Sequence, residues 1–272
     1  MGFEDILHRG LVLLGCGKMG GALLQGWIGQ GMDTRAVWVV DPVPSDDLNA
    51  LAGVNLNADL PASPAIVVVA VKPQMMDTAL ESVRQFGGRK DTLFLSIAAG
   101  TTLEQFEAVL GPSTPVIRAM PNTPAAIGRG ITALVGNGQA SEAAMRAGEE
   151  LLSAVGRTVR LDRESDMDAV TAVSGSGPAY VFHLIETLAA AGQAEGLSPE
   201  LALELARATV AGAGALAEAS PEGPGQLRVN VTSPGGTTEA ALSVLMDDAT
   251  GLPAIVSQAV SAAATRSREL GK

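Results

Sequence analysis

The stretch Leu11–Trp27, LVLLGCGKMGGALLQGW, decides the fold of the first half of the chain. Four apolar residues lead into Gly15, Gly17 and Gly20, which have the spacing GxGxxG, and an apolar-periodic segment follows directly. This pattern predicts a buried strand, a tight turn and the first turn of a helix, whose free N–H groups can bind the pyrophosphate of a dinucleotide. A glycine-rich turn without a ligand has the same spacing, so the interpretation depends on the flanking strand and helix.

The composition indicates a globular chain with an aliphatic core. Of its 272 residues, 47% are hydrophobic but only 3% are aromatic, and the formal net charge is -11. This charge argues against nucleic acid and anionic membranes as partners, since both bind basic surfaces. No apolar run reaches the length of a membrane-spanning helix, and the N-terminal segment contains acidic residues where a secretory signal is basic. We therefore expect a cytoplasmic protein.

Cysteine and histidine are too scarce to predict a disulfide framework or a metal centre. Cys16, the single cysteine, fits a reducing compartment, and its place inside the glycine turn favours a small packing residue over a nucleophile. His8 is expected in an N-terminal tail and His183 within an apolar helix. The chain therefore lacks the obvious proton donors of carbonyl reductases. An iminium substrate needs none, because hydride addition converts it directly to a neutral amine.

Apolar segments of strand length alternate with helical segments after the glycine turn, which predicts a parallel sheet covered on both faces. Strands are predicted over Ala36–Val40, Ala65–Val71, Asp91–Ile97 and Pro115–Ala119, with Ile131–Val135 and Thr158–Arg160 extending the sheet. Helices are predicted from Pro73 to about Gln85, over Leu103–Leu110 and over Ser141–Val155. Ligands of such sheets lie beyond the carboxyl ends of the strands.

Asp41 ends the second predicted strand, where a carboxylate can accept hydrogen bonds from the adenosine ribose of a bound dinucleotide. No Lys or Arg occurs from Ala36 to Val71, so a ribose 2′-phosphate would find no local cation there. This pattern favours NADH over NADPH. The alternative is an aspartate that ends the strand and starts a turn with Pro42.

From Asp166 to the end of the chain the pattern is helical, which predicts a domain of residues 1–163 followed by one of residues 164–272. One apolar stripe has the spacing i, i+3, i+4, i+7 from Val181 to Leu188, and Ser198 with Pro199 marks the start of the next helix. These helices are rich in alanine and glycine. They predict a dimer with a large apolar interface.

A glycine cluster in the helical half, SPGGTT at Ser233–Thr238, opens a helical segment from Glu239 to Met246. Backbone N–H groups and hydroxyls at a helix start suit a carboxylate or a small polar head group. An ordinary capped helix start is the alternative. A further cluster, SGSGP at Ser174–Pro178, precedes the first helix of this half.

Six segments, taken in order, resemble the pyrroline-5-carboxylate reductase family and cover nearly the whole chain. They are GCGKMGGAL (15–23), AVKPQ (70–74), SIAAGT (96–101), RAMPNTPA (118–125), TAVSGSGPAY (171–180) and the most specific, VTSPGGTTEAALSVL (231–245). The resemblance implies an α/β N-terminal Rossmann-type domain with a mostly parallel sheet, followed by an all-α C-terminal dimerisation domain. It also implies NAD(P)H-dependent reduction of 1-pyrroline-5-carboxylate to L-proline, the last step of proline biosynthesis, in a homodimer or a ring of dimers.

The resemblance further implies roles for individual residues. The pyrophosphate would be cradled by backbone groups of the glycine turn, at Gly15, Gly17, Lys18, Met19 and Gly20. The adenosine side would be flanked by Asn57, Ala70, Val71 and Lys72, and the nicotinamide side by Ala98, Met120 and Asn122. The substrate would be held by Ser233, Gly235, Gly236 and Thr238, with the Thr238 hydroxyl near the ring nitrogen. Many family members prefer NADPH and carry Ser, Asn or Arg after the second strand. The Asp41 carboxylate at that place predicts that NADH is the better cofactor here.

Two other functions share parts of this pattern. A hydroxyacid dehydrogenase or a promiscuous imine reductase also combines a Rossmann half with a helical half, but the hydroxyacid enzymes usually place a catalytic lysine in the latter. No lysine occurs between Asp166 and Val260. A non-catalytic dinucleotide sensor would keep the glycine turn and lose the substrate pocket, and the intact SPGGTT segment argues against it.

Overall fold

The computed structural model describes residues 3–271 and divides into two compact units. One unit contains the chain up to Gly175 together with the residues from Ala264 onward, and the other is Ser176–Ala263. Residues 164–175 therefore pack with the first unit, whereas the sequence pattern groups them with the helical half. The assignment of functional domains to residues 1–163 and 164–272 stays a prediction.

An eight-stranded sheet forms the centre of the first unit, in the order β3-β2-β1-β4-β5-β6-β7-β8. Its strands are β1 (Leu11–Leu14), β2 (Val37–Val40), β3 (Asn55–Leu56), β4 (Ile66–Val69), β5 (Leu93–Ser96), β6 (Val116–Met120), β7 (Gly130–Gly136) and β8 (Gly156–Arg160). All neighbours are parallel except β6 and β7. The strand order reverses between β1 and β4, and a ligand crevice is expected at the carboxyl ends of strands at such a switch point.

The α-helices in the described part of the chain follow the predicted alternation and then the predicted helical half. They are α1 (Phe3–Arg9), α2 (Lys18–Gly29), α3 (Asp46–Ala50), α4 (Met76–Val83), α5 (Leu103–Leu110), α6 (Glu142–Ser153), α7 (Met167–Val170), α8 (Gly177–Ala194), α9 (Pro199–Ala219), α10 (Pro224–Asn230), α11 (Thr237–Leu245) and α12 (Leu252–Leu270). Side chains cap several starts: Ser141 accepts from the Ala144 N–H, and Ser198 accepts from the Leu201 N–H. None of these helices is long and apolar enough to cross a membrane.

Two hydrophobic cores lie on the two faces of the sheet. Successive residues of β1 alternate between them, since Leu11 and Leu13 belong to one core and Val12 and Leu14 to the other. The first core is completed by α2 and α6, and the second by α4 and α5. Each fully buried aliphatic side chain contributes roughly 1.5–3 kcal/mol to folding. A sheet that is apolar on both faces therefore requires both helical layers.

Several features of the first unit differ from the sequence-based expectations. The expected N-terminal tail around His8 forms α1, which buries Ile6 and is held by hydrogen bonds from the Arg9 guanidinium to Ser63 and Asp91. The helix expected from Pro73 to about Gln85 consists of α4 flanked by two 3-10 turns. The elements α3 and β3 are additional, because segments of two to five residues are too short to show a period.

The helical unit has a small core of its own. Ala189, Ala202 and Ala206 are buried where α8 and α9 pack, with Ile185 beside them. Many large apolar side chains of this unit are exposed, including Val181, Phe182, Leu184, Leu188, Leu201, Leu205, Leu216, Val229, Val231 and Val244. A surface with this many apolar side chains is typical of a protein interface.

Candidate functional site

The glycine turn between β1 and α2 has the geometry that a pyrophosphate requires. Gly15 has a φ of +83°, and its N–H donates to the Val40 carbonyl at 2.8 Å, which makes the sharp turn. A Cβ on Gly20 would collide with the Gly15 carbonyl oxygen, so Gly20 is needed for packing of α2. A Cβ on Gly17 would meet no atom within 4 Å. Gly17, the N-cap of α2, therefore faces open space, and no side chain caps the helix there.

Asp41 lies directly after β2 and faces this turn. Its carboxylate accepts hydrogen bonds from the Cys16 N–H at 2.7 Å and the Val43 N–H at 2.9 Å, one on each oxygen. Asn57 fixes the backbone of Asp41 from the other side, since its amide accepts from the Asp41 N–H and donates to the Asp41 carbonyl, both at 2.9 Å. The carboxylate is thus held in place at the carboxyl edge of the sheet. Each of its oxygens keeps a lone pair for a ribose hydroxyl.

The structure brings the predicted cofactor residues to one edge of the sheet. The glycine turn follows β1, Asp41 follows β2, and Asn57 follows β3. Ala70, Val71 and Lys72 come after β4, and Ala98 comes after β5. Met120 ends β6, and Asn122 lies two residues beyond it. Because these six strands are parallel, all of these residues share the carboxyl edge, where the resemblance places them. Their roles in binding stay predictions.

The Asn122 side chain is engaged within the protein rather than turned to a free site. Its oxygen accepts from the Ile131 N–H at 2.9 Å, and its nitrogen donates to the Ser174 carbonyl at 3.1 Å. Met120 lies against Gly175, where a Cβ would be 2.8 Å from the methionine methyl carbon. These contacts tie the end of β6 to the π-helical turn Thr171–Gly175. Asn122 therefore has a structural role in addition to the predicted contact with the nicotinamide.

A pocket of about 420 Å³ opens between the glycine turn and α3. Cys16, Gly17 and Asp41 line it, together with Ser45 and Asp47. Lys18 also lines this pocket. Lys18 belongs to the first turn of α2 and lies outside residues 36–71, the segment that contains no Lys or Arg. The charges around the predicted adenosine ribose are thus two carboxylates and one ammonium.

Cys16 is partly buried in the same turn. Burial, with the neighbouring Asp41 carboxylate as a smaller cause, raises the pKa of its thiol to about 11. Both effects disfavour the thiolate. At neutral pH this cysteine is therefore an unreactive packing residue, as the sequence predicts.

The predicted substrate residues lie at the start of α11 in the helical unit. Gly236 is the N-cap, Gly235 has a φ of +71°, and Thr237 and Thr238 are the first two helical residues. The Gly235 N–H donates to the Glu239 carboxylate at 2.6 Å. This contact shows that the turn presents the Gly235 N–H in a geometry that a carboxylate can accept. The helix begins two residues earlier than the segment predicted from Glu239.

The chemistry of the described residues suits a dinucleotide. An open glycine turn, a helix start without a side-chain cap and an oriented carboxylate are the features that bind a pyrophosphate and a ribose. Within residues 3–271, no three His, Cys, Asp or Glu side chains cluster in a way that could hold a metal ion. His183 lies on the exposed surface of α8, with its Nδ1 atom 3.2 Å from the Glu186 carboxylate.

Comparison with known proteins finds a matching family model in each half of the chain. A family model described as pyrroline-5-carboxylate reductase dimerisation matches residues 164–270. A second model, NADP oxidoreductase coenzyme F420-dependent, matches residues 11–100. The pyrroline-5-carboxylate reductase of Pseudomonas aeruginosa is 41% identical over 268 residues, which cover 96% of this chain and 97% of that protein.

Solved structures agree with this assignment. A pyrroline-5-carboxylate reductase from Coxiella burnetii has a TM-score of 0.90 at 33% identity and covers 97% of this chain and 99% of that chain. The Plasmodium falciparum pyrroline carboxylate reductase with NADP bound has a TM-score of 0.81 at 28% identity, with 97% and 98% covered. The predicted fold class is confirmed, and so is the predicted resemblance: the chain belongs to the pyrroline-5-carboxylate reductase family.

Proposed function

We propose that this chain reduces 1-pyrroline-5-carboxylate to L-proline with a nicotinamide dinucleotide, the last step of proline biosynthesis. The observation that carries the proposal is the open glycine turn at the carboxyl edge of the sheet, in a chain that also keeps the complete SPGGTT helix start. Identity of 41% to a full-length reductase supports it. The relatives favour neither the hydroxyacid dehydrogenase nor the sensor alternative.

The proposed mechanism needs few protein groups. The reduced dinucleotide, when bound, supplies the hydride. Thr238 hydrogen-bonds the ring nitrogen, and the Gly235 N–H binds the substrate carboxylate. Gly236 closes the turn, because its N–H donates to the Ser233 carbonyl at 3.0 Å. The Gly235 N–H would then exchange its bond to Glu239 for one to the substrate. As the hydride adds to the imine carbon, the π electron pair of the C=N bond moves to nitrogen, and a protonated imine becomes a neutral amine. No general acid is required at that step.

We further propose that NADH is preferred over NADPH. Asp41 and Asp47 line the pocket expected to hold the adenosine ribose, and both would repel a 2′-phosphate. Lys18 offers one opposing charge, but its compact ammonium forms no bidentate contact with a phosphate. The carboxylate of Asp41 is moreover held by two N–H groups and cannot turn away without losing both bonds.

For its assembly and location, we propose a homodimer that covers the exposed apolar side chains of α8 and α9, with a ring of dimers as the larger expected form. We place the protein in the cytoplasm. The match to the dimerisation model over residues 164–270 supports the dimer, and the single partly buried cysteine is consistent with a reducing compartment.

The role of Thr238 gives the sharpest mutational test of the proposed chemistry. Thr238→Ala removes one positioned hydrogen bond, so we expect kcat to fall by roughly one to two orders of magnitude while the Kd for NADH changes little. Thr237→Ala, one residue earlier on α11, is the matched control and should retain most activity. Hydride transfer is followed by mass spectrometry, as deuterium passing from C4-deuterated NADH into proline. Full activity of Thr238→Ala would remove this residue from the site.

A further inference from the structure

Glu164 joins two segments of the first unit through one carboxylate oxygen. It follows β8 and begins the 3-10 turn Glu164–Asp166. Its Oε1 atom accepts from the Arg118 guanidinium at 2.7 Å and from the Leu103 N–H at 2.9 Å. Arg118 lies on β6 and Leu103 is the first residue of α5, so the three residues form a link between these two elements. We call this link the Glu164 bridge.

The bridge is held firmly because Arg118 is buried. Only 8% of the Arg118 side chain is exposed, compared with 28% of the Glu164 side chain. A buried guanidinium whose carboxylate partner is removed keeps an uncompensated charge at a high energetic cost. Arg118 therefore fixes the Glu164 carboxylate in one position, and that carboxylate fixes the start of α5.

Starting the helix does not require Glu164. Thr102 and Gln105 already form a complete capping box at this end of α5, with hydrogen bonds of 3.2 and 2.8 Å. The added bond to the Leu103 N–H therefore fixes the position of α5 and is not needed to start the helix. It sets where the loop between β5 and α5 ends relative to β6.

We propose that Glu164 is a positioning residue for the nicotinamide end of the cofactor, an inference that rests on the proposed function. The loop that ends at Leu103 contains Ala98, and β6 leads from Arg118 directly to Met120. Ala98 and Met120 are, with Asn122, the residues expected to flank the nicotinamide, whereas the adenosine end is expected at the glycine turn and Asp41. Loss of the bridge should thus affect one end of the cofactor and spare the other.

The chain supplies a control carboxylate in Glu149. Its carboxylate accepts two hydrogen bonds from the Arg160 guanidinium, both at 2.7 Å, and 27% of its side chain is exposed, close to the 28% of Glu164. Glu149 lies on α6, and Arg160 ends β8 at the opposite end of the sheet from β3. Glu149→Ala removes an ion pair of the same length with no expected contact to the cofactor. Its arginine differs from Arg118, because Arg160 is 35% exposed and keeps Glu142 as a partner.

The test compares Glu164→Ala, Glu164→Gln and Glu149→Ala with the wild-type protein. ADP-ribose, which lacks the nicotinamide, measures binding of the adenosine end by calorimetry. Emission of bound NADH reports the surroundings of the nicotinamide, and kcat with 1-pyrroline-5-carboxylate and the deuterium isotope effect report hydride transfer. For Glu164→Ala we expect a 10- to 100-fold lower kcat, a larger isotope effect and shifted NADH emission, with the Kd for ADP-ribose within twofold of wild type. Glu164→Gln, which keeps an acceptor for Leu103, should recover part of kcat.

Two results would overturn the proposal in favour of a purely structural role. One is a loss of ADP-ribose affinity in Glu164→Ala as large as its loss of kcat. The other is a loss of kcat in Glu149→Ala as large as that in Glu164→Ala. If Glu164→Ala fails to fold, Glu164→Gln must still lower kcat at least threefold more than Glu149→Gln for the proposal to stand. A wild-type protein that binds NADH without turnover would refute the proposed function instead. NADH emission would then decide the role of Glu164, and an unchanged spectrum in Glu164→Gln would overturn it.

Discussion

Asp41 is the residue on which the cofactor preference depends. Asp41→Ser removes a carboxylate that would repel a 2′-phosphate, so the ratio of kcat/KM for NADH to that for NADPH should fall about tenfold, equivalent to about 1.4 kcal/mol. Asp47→Ser is the comparison, because it removes the same charge from the wall of the same pocket without touching the glycine turn, and it should lower the ratio less than Asp41→Ser does. Steady-state kinetics with both cofactors measures the ratio. An unchanged ratio in Asp41→Ser would refute the assigned role.

Cys16 gives a prediction about pH. With its pKa raised to about 11, only roughly one thiol in a thousand is ionised at pH 8, whereas an unperturbed thiol is ionised to roughly a quarter. Alkylation by iodoacetamide at pH 8 should therefore be far slower in the folded protein than in the urea-unfolded chain. The folded rate should rise as the pH approaches the raised pKa. Equal rates for folded and unfolded protein at pH 8 would contradict this.

Single residues also show which parts of the site can be predicted from the sequence. Asp41 is predictable because a carboxylate at the end of the second strand has a defined place in a dinucleotide-binding fold. The place of Lys18 in the pocket is not predictable, because its proximity to Asp41 arises from the turn and not from sequence spacing. The Glu164 bridge is not predictable for a similar reason, since Leu103 and Glu164 are 61 positions apart in the sequence. Contacts between residues so far apart in the sequence depend on the order of the strands in the sheet.

At the scale of elements, the strand, turn and helix at Leu11–Gly29 make a prediction that separates binding from stability. Gly17→Ala places a Cβ in open space where the pyrophosphate is expected, so we expect weaker NADH binding and an unchanged Tm. Gly20→Ala forces a Cβ against the Gly15 carbonyl and should lower the free energy of unfolding by about 1–3 kcal/mol. Calorimetry and thermal unfolding measure the two effects. Equal effects of both substitutions would contradict the separate roles.

Long elements with strong periodicity were predictable, and short ones were not. All the predicted strands are present within about two residues, because continuous apolar runs between turn residues have few other structures available. The reversed direction of β7 relative to β6 leaves no mark in composition, since both strands are apolar. Helix α1 depends on contacts of Arg9 with Ser63 and Asp91, which lie far away in the sequence.

At the scale of the whole molecule, the exposed apolar side chains of the helical unit predict a dimer. The mass of one chain is 27.6 kDa, and sedimentation at micromolar concentration should give twice that mass. Phe182, 59% exposed, and Leu184, 47% exposed, both lie on α8, and an aspartate in place of either should weaken the dimer. Val43→Asp, at an exposed residue of the first unit, is the control. A monomeric wild-type protein would contradict the prediction.

The most direct test of the account is oxidation of NADH and NADPH by the purified protein with 1-pyrroline-5-carboxylate, measured in parallel at equal cofactor concentrations. The account predicts turnover with both cofactors and a higher kcat/KM with NADH. A preference for NADPH would retain the reaction and refute the role assigned to Asp41. Binding of either cofactor without any turnover would contradict the proposed function itself.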